Sequence, residues 1–355
     1  MKLRVITTEC TNPYTNLAVE EYLTKHAAEG EVVLFLWQNA HTVVIGRNQN
    51  PWRECNVEKM KADDVYLARR MSGGGAVYHD LGNLNFTFIA RDGLFDIDKQ
   101  TDVVLLACRL LGVEAAKSGR NDLLVDGRKF SGHAYYSSKG HNYHHGTIML
   151  DVIPSDMTKY LQASDAKLQS KGVESVRSRV TNLKSHVSSE VRKRLEESCL
   201  GRSVALVEEM KAAMIKAFER QYEGEAELVT FRELLVTDEV KGAATRGRIK
   251  VSELQKLIDK YSSDKWRLGT RIPFEKQIEH RFEWGEVEIQ LQMKGGYIKD
   301  CRIYSDALDT EMFGALEQQL RGCCYDAAGI MALARPDGAS ASAHEILNLI
   351  AASVE

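Results

Sequence analysis

No stretch of the chain approaches the roughly 18 consecutive apolar residues that a membrane-spanning helix needs. Net charge is nearly absent as well, at −3 over 355 residues. No global field therefore draws the protein to nucleic acid or to an anionic membrane, and neither is an expected partner. Any anion it handles must be held by a local cluster. Cysteine occurs seven times, at Cys10, Cys55, Cys108, Cys199, Cys301, Cys323 and Cys324, but no pair has Cys-x-x-Cys spacing. The odd number and the spacing argue against a disulfide framework and a structural zinc site, and a reducing compartment is the simplest reading. The N-terminal MKLRVITTEC lacks both the apolar core of a secretory signal and the Arg/Ser-rich character of a transit peptide. The expected location is cytoplasmic. Internal repeats and long low-complexity tracts are missing too.

What is present is ordinary globular composition, 44% hydrophobic and 27% charged, at a length that favours about two domains. Residues 17–28 read as a helix, opened by the Asn12-Pro13 turn and closed at Gly30. Residues 32–37 and 42–45 read as strands. Leu84, Phe86 and Phe88 alternate with Asn85, Thr87 and Ile89, the period of a strand with one face on a core. The stretch 76–79 is expected to pair antiparallel with that strand across Asp80-Leu81-Gly82. A helix fits 99–111, a strand pair fits 129–137 and 143–152, and helices fit 157–162, 190–198 and 204–222. The charged, amphipathic stretch 251–261 reads as a connector. A strand–turn–strand unit over 282–304 and helices over 311–321, 326–334 and 343–353 follow. The fold class is α+β. A large domain, 1–250, carries a mostly antiparallel sheet with flanking helices. Residues 251–265 connect it to a small α+β domain, 266–355.

The densest chemical signal is RRMSGGGAVYHD at 69–80. Three contiguous glycines let backbone approach a ligand, successive N–H groups can cup an anion, and the Arg70 fork suits phosphate. The same residues also suit a tight turn with two solvated arginines. No Gly-Lys-Ser/Thr ends the run, so it is not a Walker A loop; a strand follows contiguous glycines, so it is not a dinucleotide fingerprint. A second segment joins Gly119-Arg120-Asn121-Asp122-Leu123 to Arg128-Lys129-Phe130-Ser131-Gly132-His133-Ala134. Lys129 among small neighbours can act as a point charge for carboxylate or phosphate, and Asp122 can hold a Mg²⁺–phosphate unit. An Asn-Asp turn beside a surface lysine is the plainer reading. His141, His144 and His145 invite a metal site, but strand geometry sends His144 and His145 to opposite faces, which favours hydrogen-bonding roles. Residues 171–183 are polar and basic without strong periodicity, as in a loop that closes over an anion or in a solvated connector.

Together these segments resemble the lipoate–protein ligase A family. The similarity starts at Asn16-Leu17-Ala18-Val19-Glu20-Glu21 and Val43-Val44-Ile45-Gly46-Arg47-Asn48-Gln49-Asn50-Pro51-Trp52. It continues through RRMSGGGAVYHDLGN, GRNDL, RKFSGHAY, YHHGT and SVRSRVTNL. It reaches the second domain at Arg281-Phe282-Glu283-Trp284-Gly285 and Gly322-Cys323-Cys324-Tyr325. The resemblance implies a large domain related to biotin protein ligases and a small C-terminal domain. It implies that lipoate, as substrate, is activated with ATP and Mg²⁺ to lipoyl-AMP and passed to a carrier lysine. Acceptors would be lipoyl domains of 2-oxoacid dehydrogenase acyltransferase subunits and the glycine-cleavage H protein. By resemblance, Arg70, Gly75, Ala76, Val77 and Tyr78 bind ATP, and Lys129 is catalytic, meeting both lipoate and the α-phosphate. Asn121 and Asp122 lie near the phosphates, with Asp122 the metal ligand. His79, Asn83, Gly132 and Ala134 line the same cleft, and 176–183 cover the adenylate. His133, where relatives often have a small residue, and Tyr136, where some carry arginine, depart from the pattern.

Physical chemistry suits that implication. A carboxylate is already a nucleophile at neutral pH, so the obstacle is the meeting of two anions, which Arg70, Lys129 and Mg²⁺ can offset. An apolar tunnel for the acyl chain is expected from Val43, Val77 and Leu84, and a side chain at Gly74 or Gly75 is expected to fill nucleotide space. Three alternatives stay open: an ATP-independent acyl transferase with a cysteine nucleophile, a transferase that uses preformed lipoyl-AMP, and a non-catalytic lipoate-binding protein. The first is weakened because no cysteine lies in the glycine run, the Lys129 strand or YHHGT. A biotin ligase is disfavoured by the lack of a GRGRRG-type loop.

Overall fold

A computed structural model describes residues 1–119, 121–162, 180–239, 247–333 and 340–354. In chain order the strands begin with β1 Lys2–Thr7, β2 Glu31–Trp37, β3 Thr42–Ile45, β4 Tyr66–Arg69, β5 Val77–His79 and β6 Asn83–Arg91. Then come β7 Ala116–Ser118, β8 Asp122–Val125, β9 Arg128–Ser138, β10 His141–Met149 and β11 Ala226–Thr230. The short pair β12 Leu235–Val236 and β13 Ile249–Lys250 precedes β14 Lys276–Phe282, β15 Gly285–Lys294 and β16 Tyr297–Ser305.

Eight strands form the main sheet in the order β11-β1-β2-β6-β10-β9-β8-β7. Only β1 pairs in parallel, with β2 and β11 on either side; the remaining pairs are antiparallel. Alternation divides the two faces. Leu84, Phe86, Phe88 and Ala90 of β6 pack with Val103, Val104, Met210 and Phe218 from the helices Ile97–Leu110 and Arg202–Tyr222. Ile89, Phe35, Trp37 and Tyr143 turn to the other face, under the helix Pro13–Lys25. That helix starts earlier than expected because the Asn12 side chain accepts from the N–H groups of Tyr14 and Thr15 and Pro13 occupies the first helical position. The helix read at 157–162 is likewise Pro154–Tyr160, its start set by Pro154.

The expected hairpin between 76–79 and the Leu84 strand does not form. β5 pairs antiparallel with β3, and β3 pairs in parallel with β4, making a separate three-stranded sheet. Both edges of β6 are already taken by β2 and β10. Asp80 fixes the change of sheet by accepting from Gly82 N–H at 2.8 Å and from Ile153 N–H at 2.9 Å. Gly82 must lack a Cβ here, since one would fall 2.1 Å from Asp151 O.

The stretch read as a connector is a helix, Val251–Ser262. Its Leu254, Leu257, Ile258 and Tyr261 follow helical spacing and join the cluster beneath Pro13–Lys25, a helix that also ion-pairs Glu21 with Lys260 at 2.5 Å. Farther on, β14-β15-β16 form an antiparallel sheet covered by the helices Glu311–Leu320 and Ala341–Ala352 around Ile289, Phe313 and Leu347. This unit sits on the large one through polar contacts: Ser305 N–H to Asn48 O, Gly74 N–H to Ala307 O, and Arg53 against Glu279, Glu286 and Glu288. Among the described residues no helix is long and apolar enough to cross a membrane.

Candidate active site

A cavity of about 370 Å³ lies between the main sheet and the glycine run. Trp37, Asn83, Asn85, Thr147 and Ala134 form its floor, on successive strands of the sheet. Its roof is Arg70 and the stretch 74–79, which joins β4 to β5. Of the residues singled out by sequence, Arg70, Gly75, Ala76, Val77, Tyr78 and His79 thus border one space from above. Asn83, Asn121, Lys129, Gly132 and Ala134 border it from below and from the side. Asp122 stands at the margin, 2.6 Å from Lys129 Nζ.

Two of the three expected tunnel residues face elsewhere. Leu84 packs under the helices on the far side of the sheet, and Val43 packs with Ile45 and Tyr78 behind the small sheet. Their neighbours Asn85 and Val44 line the cavity instead, because a strand turns successive side chains to opposite faces. Val77 does line it. Leu17, Trp37, His145, Thr147 and Met149 also line it, although sequence reasoning missed them. For His145 and Thr147 the YHHGT motif held the signal, and strand parity would have extracted it.

At the open end, Lys129 and Asp122 are each about one-third exposed. Gly132 leaves room for the lysine chain: a Cβ there would stand 2.9 Å from Nζ. The basic stretch 171–183 lies outside the described residues up to 179; from there Val180 bridges to Lys129 and lines the cavity, and Thr181 N–H donates to Lys129 O at 2.9 Å.

At the closed end Arg70 is buried, donating to Val44 O, Ser72 Oγ, Gly73 O and Gly75 O at 2.7 to 3.1 Å. Burial lowers its pKa to about 10. Glu20 accepts from His145 Nδ1 at 2.8 Å, and His145 Nε2 meets Ser72 Oγ at 2.8 Å on its other side. Burial, then Arg70 and His145, pushes the His79 pKa down to about 3. His79 is therefore a neutral hydrogen-bonding group at physiological pH.

The two departures from the family pattern leave the cavity's cations untouched. His133 turns its ring to the helix side, where Nδ1 meets His144 Nε2 at 2.9 Å and Nε2 meets Ser131 Oγ. Tyr136 stacks on Tyr143 and borders clefts against the C-terminal unit. His144 and His145 do point to opposite faces, toward Gln100 and Glu20. Among the described residues no cysteine lines the cavity and no cluster of metal-ligating side chains is found.

Residues 12–219 match the family of the lipoyl protein ligase A/B catalytic domain, and residues 271–349 match the bacterial lipoate protein ligase C-terminus. A relative named lipoate-protein ligase A, from Psychrobacter cryohalolentis, is 37% identical over 94% of this chain and 91% of its own. The chain belongs to the lipoate–protein ligase family. Two solved structures agree. One, P. falciparum LipL1 in complex with lipoate, is 26% identical, covers 99% of each chain and superposes with a TM-score of 0.77. The other is a bi-partite lipoate protein ligase described with its E2 lipoyl domain, from Thermoplasma acidophilum. It is 26% identical, covers 77% of this chain and 99% of its own, and gives a TM-score of 0.61. Membership makes this chain an ATP-dependent ligase that activates lipoate and attaches it to protein.

Proposed function

We propose that Lys129 is the catalytic cation that gathers the lipoate carboxylate and the α-phosphate of ATP. The observation that carries this is its position: at the open rim of the cavity, ion-paired among the described residues with Asp122 alone. Mg²⁺ enters as MgATP. A single partly exposed carboxylate fits that ion, which takes one or two carboxylates and completes its shell with phosphate oxygens and water. Asp122 would hold the ion, which would supply charge to the phosphates, and Lys129 would then be free for the two substrate anions. Asn121 and the N–H groups of 75–78 hold the nucleotide.

A carboxylate oxygen of lipoate attacks the α-phosphorus, the bond to the β-phosphate oxygen breaks, and pyrophosphate leaves. A carrier lysine, having lost its proton, attacks the acyl carbon; AMP leaves and an amide remains. No thiol is needed in the cavity for either step. The carriers are lipoyl domains of 2-oxoacid dehydrogenase acyltransferase subunits and the glycine-cleavage H protein. Residues 1–250 carry the chemistry, with 251–265 and the accessory unit 266–355 attached. The seven cysteines, all free thiols, suit a reducing cytoplasm.

Pyrophosphate release with ATP, Mg²⁺ and lipoate, without any carrier, tests the reading. Release, followed by a lipoyl mass increase when a lipoyl domain is added, is expected. Transfer from supplied lipoyl-AMP without release from ATP would instead establish a transferase that has lost activation.

A further inference from the structure

The polar groups around the Trp37 end of the cavity fall into two sets. One set satisfies itself. Trp37 Nε1 donates to Thr87 Oγ1 at 3.0 Å, Thr87 Oγ1 donates to Glu20 Oε1 at 2.7 Å, and His145 and Ser72 continue that chain to Arg70. The other set is His79 Nε2 and Asn85 Nδ2. Both are buried, both residues line the cavity, and neither atom has a partner among the described residues.

The His79 proton can be placed. Asn16 Nδ2 faces the carbonyls of Cys10 and Gln38, which fixes its amide, so the Asn39 atom beside it at 3.0 Å is Oδ1, sharing one of its two hydrogens in a three-centre bond. Asn39 must then present Nδ2 to His79 Nδ1 at 3.2 Å, so Nδ1 accepts and the neutral ring carries its hydrogen on Nε2. For Asn85, Oδ1 accepts from Asn83 Nδ2 at 3.0 Å, which leaves its own Nδ2 as the unpaired donor. Two unpaired N–H donors thus belong to residues that line the same cavity, one from the roof and one from the floor.

Sheet register sets how far they lie from Lys129. Asn85 pairs with Trp37 on one side and Thr147 on the other, and Thr147 Oγ1 meets Gly132 N–H at 3.4 Å. Lys129 Nζ lies over Gly132. Two strand spacings, about 10 Å, therefore separate lysine from Asn85. An extended eight-carbon acid anchored at Lys129 brings its far end there.

We propose that His79 Nε2–H and Asn85 Nδ2–H are specificity-determining donors that receive the dithiolane sulfurs of lipoate and select against a straight alkanoate of equal length. This rests on the placement of the carboxylate at Lys129. Sulfur is a weak, polarisable acceptor, and it suits a site that offers two otherwise unpaired hydrogens. The terminal methyl of octanoate carries no lone pair and would leave both donors unpaired, a difference of about tenfold or more in affinity.

The test is kcat/KM for pyrophosphate release with lipoate and with octanoate, paired with calorimetric binding of each acid without ATP. The wild-type enzyme is expected to prefer lipoate by about tenfold or more. Asn85→Leu and His79→Leu should each shrink that ratio severalfold, mainly by losing lipoate, whereas His79→Gln, which keeps a donor, should retain most of it. Equal use of both acids by the wild type, or variants that weaken both equally, would overturn the proposal. Either result would mean that the donors hold water or only brace the pocket. Calorimetry reads the preference even if ATP activation fails, so failure of the activation step and failure of this proposal give different results. Folding of each variant is checked by its Tm.

Discussion

Arg70 and Lys129 both border the cavity, yet they occupy opposite surroundings. Arg70 is 6% exposed and spends its donors on the protein's own glycine run and on Val44. Lys129 is one-third exposed and has Asp122 as its partner. A guanidinium with its donors engaged shapes the loop that substrates meet, while an ammonium with one exchangeable partner is free to move onto substrate. On the proposed function, the difference separates scaffold from reagent in two residues whose motifs look equally functional.

The sharpest way to break this contrast is to remove each cation. Lys129→Ala should lower pyrophosphate release on the order of 10²–10³-fold while Tm holds, because a half-exposed ion pair contributes at most about 1 kcal/mol. Arg70→Met should instead cost stability, on the order of 3 kcal/mol by urea unfolding, since buried carbonyls and the Ser72 hydroxyl lose their donor. Full stability in the arginine variant, or a large Tm loss in the lysine variant, would reverse the assignments.

Smaller changes in the glycine run sharpen the same contrast. A Cβ on Gly73 would stand 2.0 Å from Ala307 O, so Gly73→Ala should cost about 1–3 kcal/mol by unseating the loop from the C-terminal unit. Gly75 has nothing within 4 Å of an added Cβ. Gly75→Val should leave Tm unchanged and raise the KM for ATP, because the open space it enters is the one the proposed function gives to the nucleotide. An unchanged KM would detach Gly75 from the nucleotide site.

A further effect concerns acid. The native His79 pKa of about 3 lies below its unfolded value near 6.5. Between those values the unfolded chain binds a proton that the native state refuses. Stability is therefore complete above pH 6.5 and falls as pH drops toward 3, by up to about 1.4 kcal/mol per pH unit for this histidine. His79→Gln should flatten the acid slope of unfolding free energy between pH 6 and 4 by about that amount, and Lys129→Ala should not. An equal slope in wild type and His79→Gln would mean that His79 takes up its proton within the native protein.

Much of this layout is legible locally. The alternation in β6, the glycines after Arg70, and Lys129 two residues before Ser131-Gly132 all depend on near neighbours in the chain. So does the apolar stripe Leu254, Leu257, Ile258, Tyr261, whose helical spacing suits a stretch that docks as it connects. Two differences share one cause. Sequence adjacency pairs the 76–79 strand with its neighbour, but Asp80 diverts it to β3; residue type offers Leu84 and Val43 to the tunnel, but strand parity gives those positions to Asn85 and Val44.

Periodicity and flanking turn residues settled that segments such as 32–37, 42–45 and 84–89 are strands. They act over a few residues, where covalent geometry alone dictates the outcome. The partners of Arg70, the chain from Glu20 through His145 to Ser72, the hydrogen on His79 Nε2 and the free amide of Asn85 were decided by the assembled sheet. Each depends on register between segments distant along the chain, and a shift of one residue would turn every one of those side chains to the opposite face.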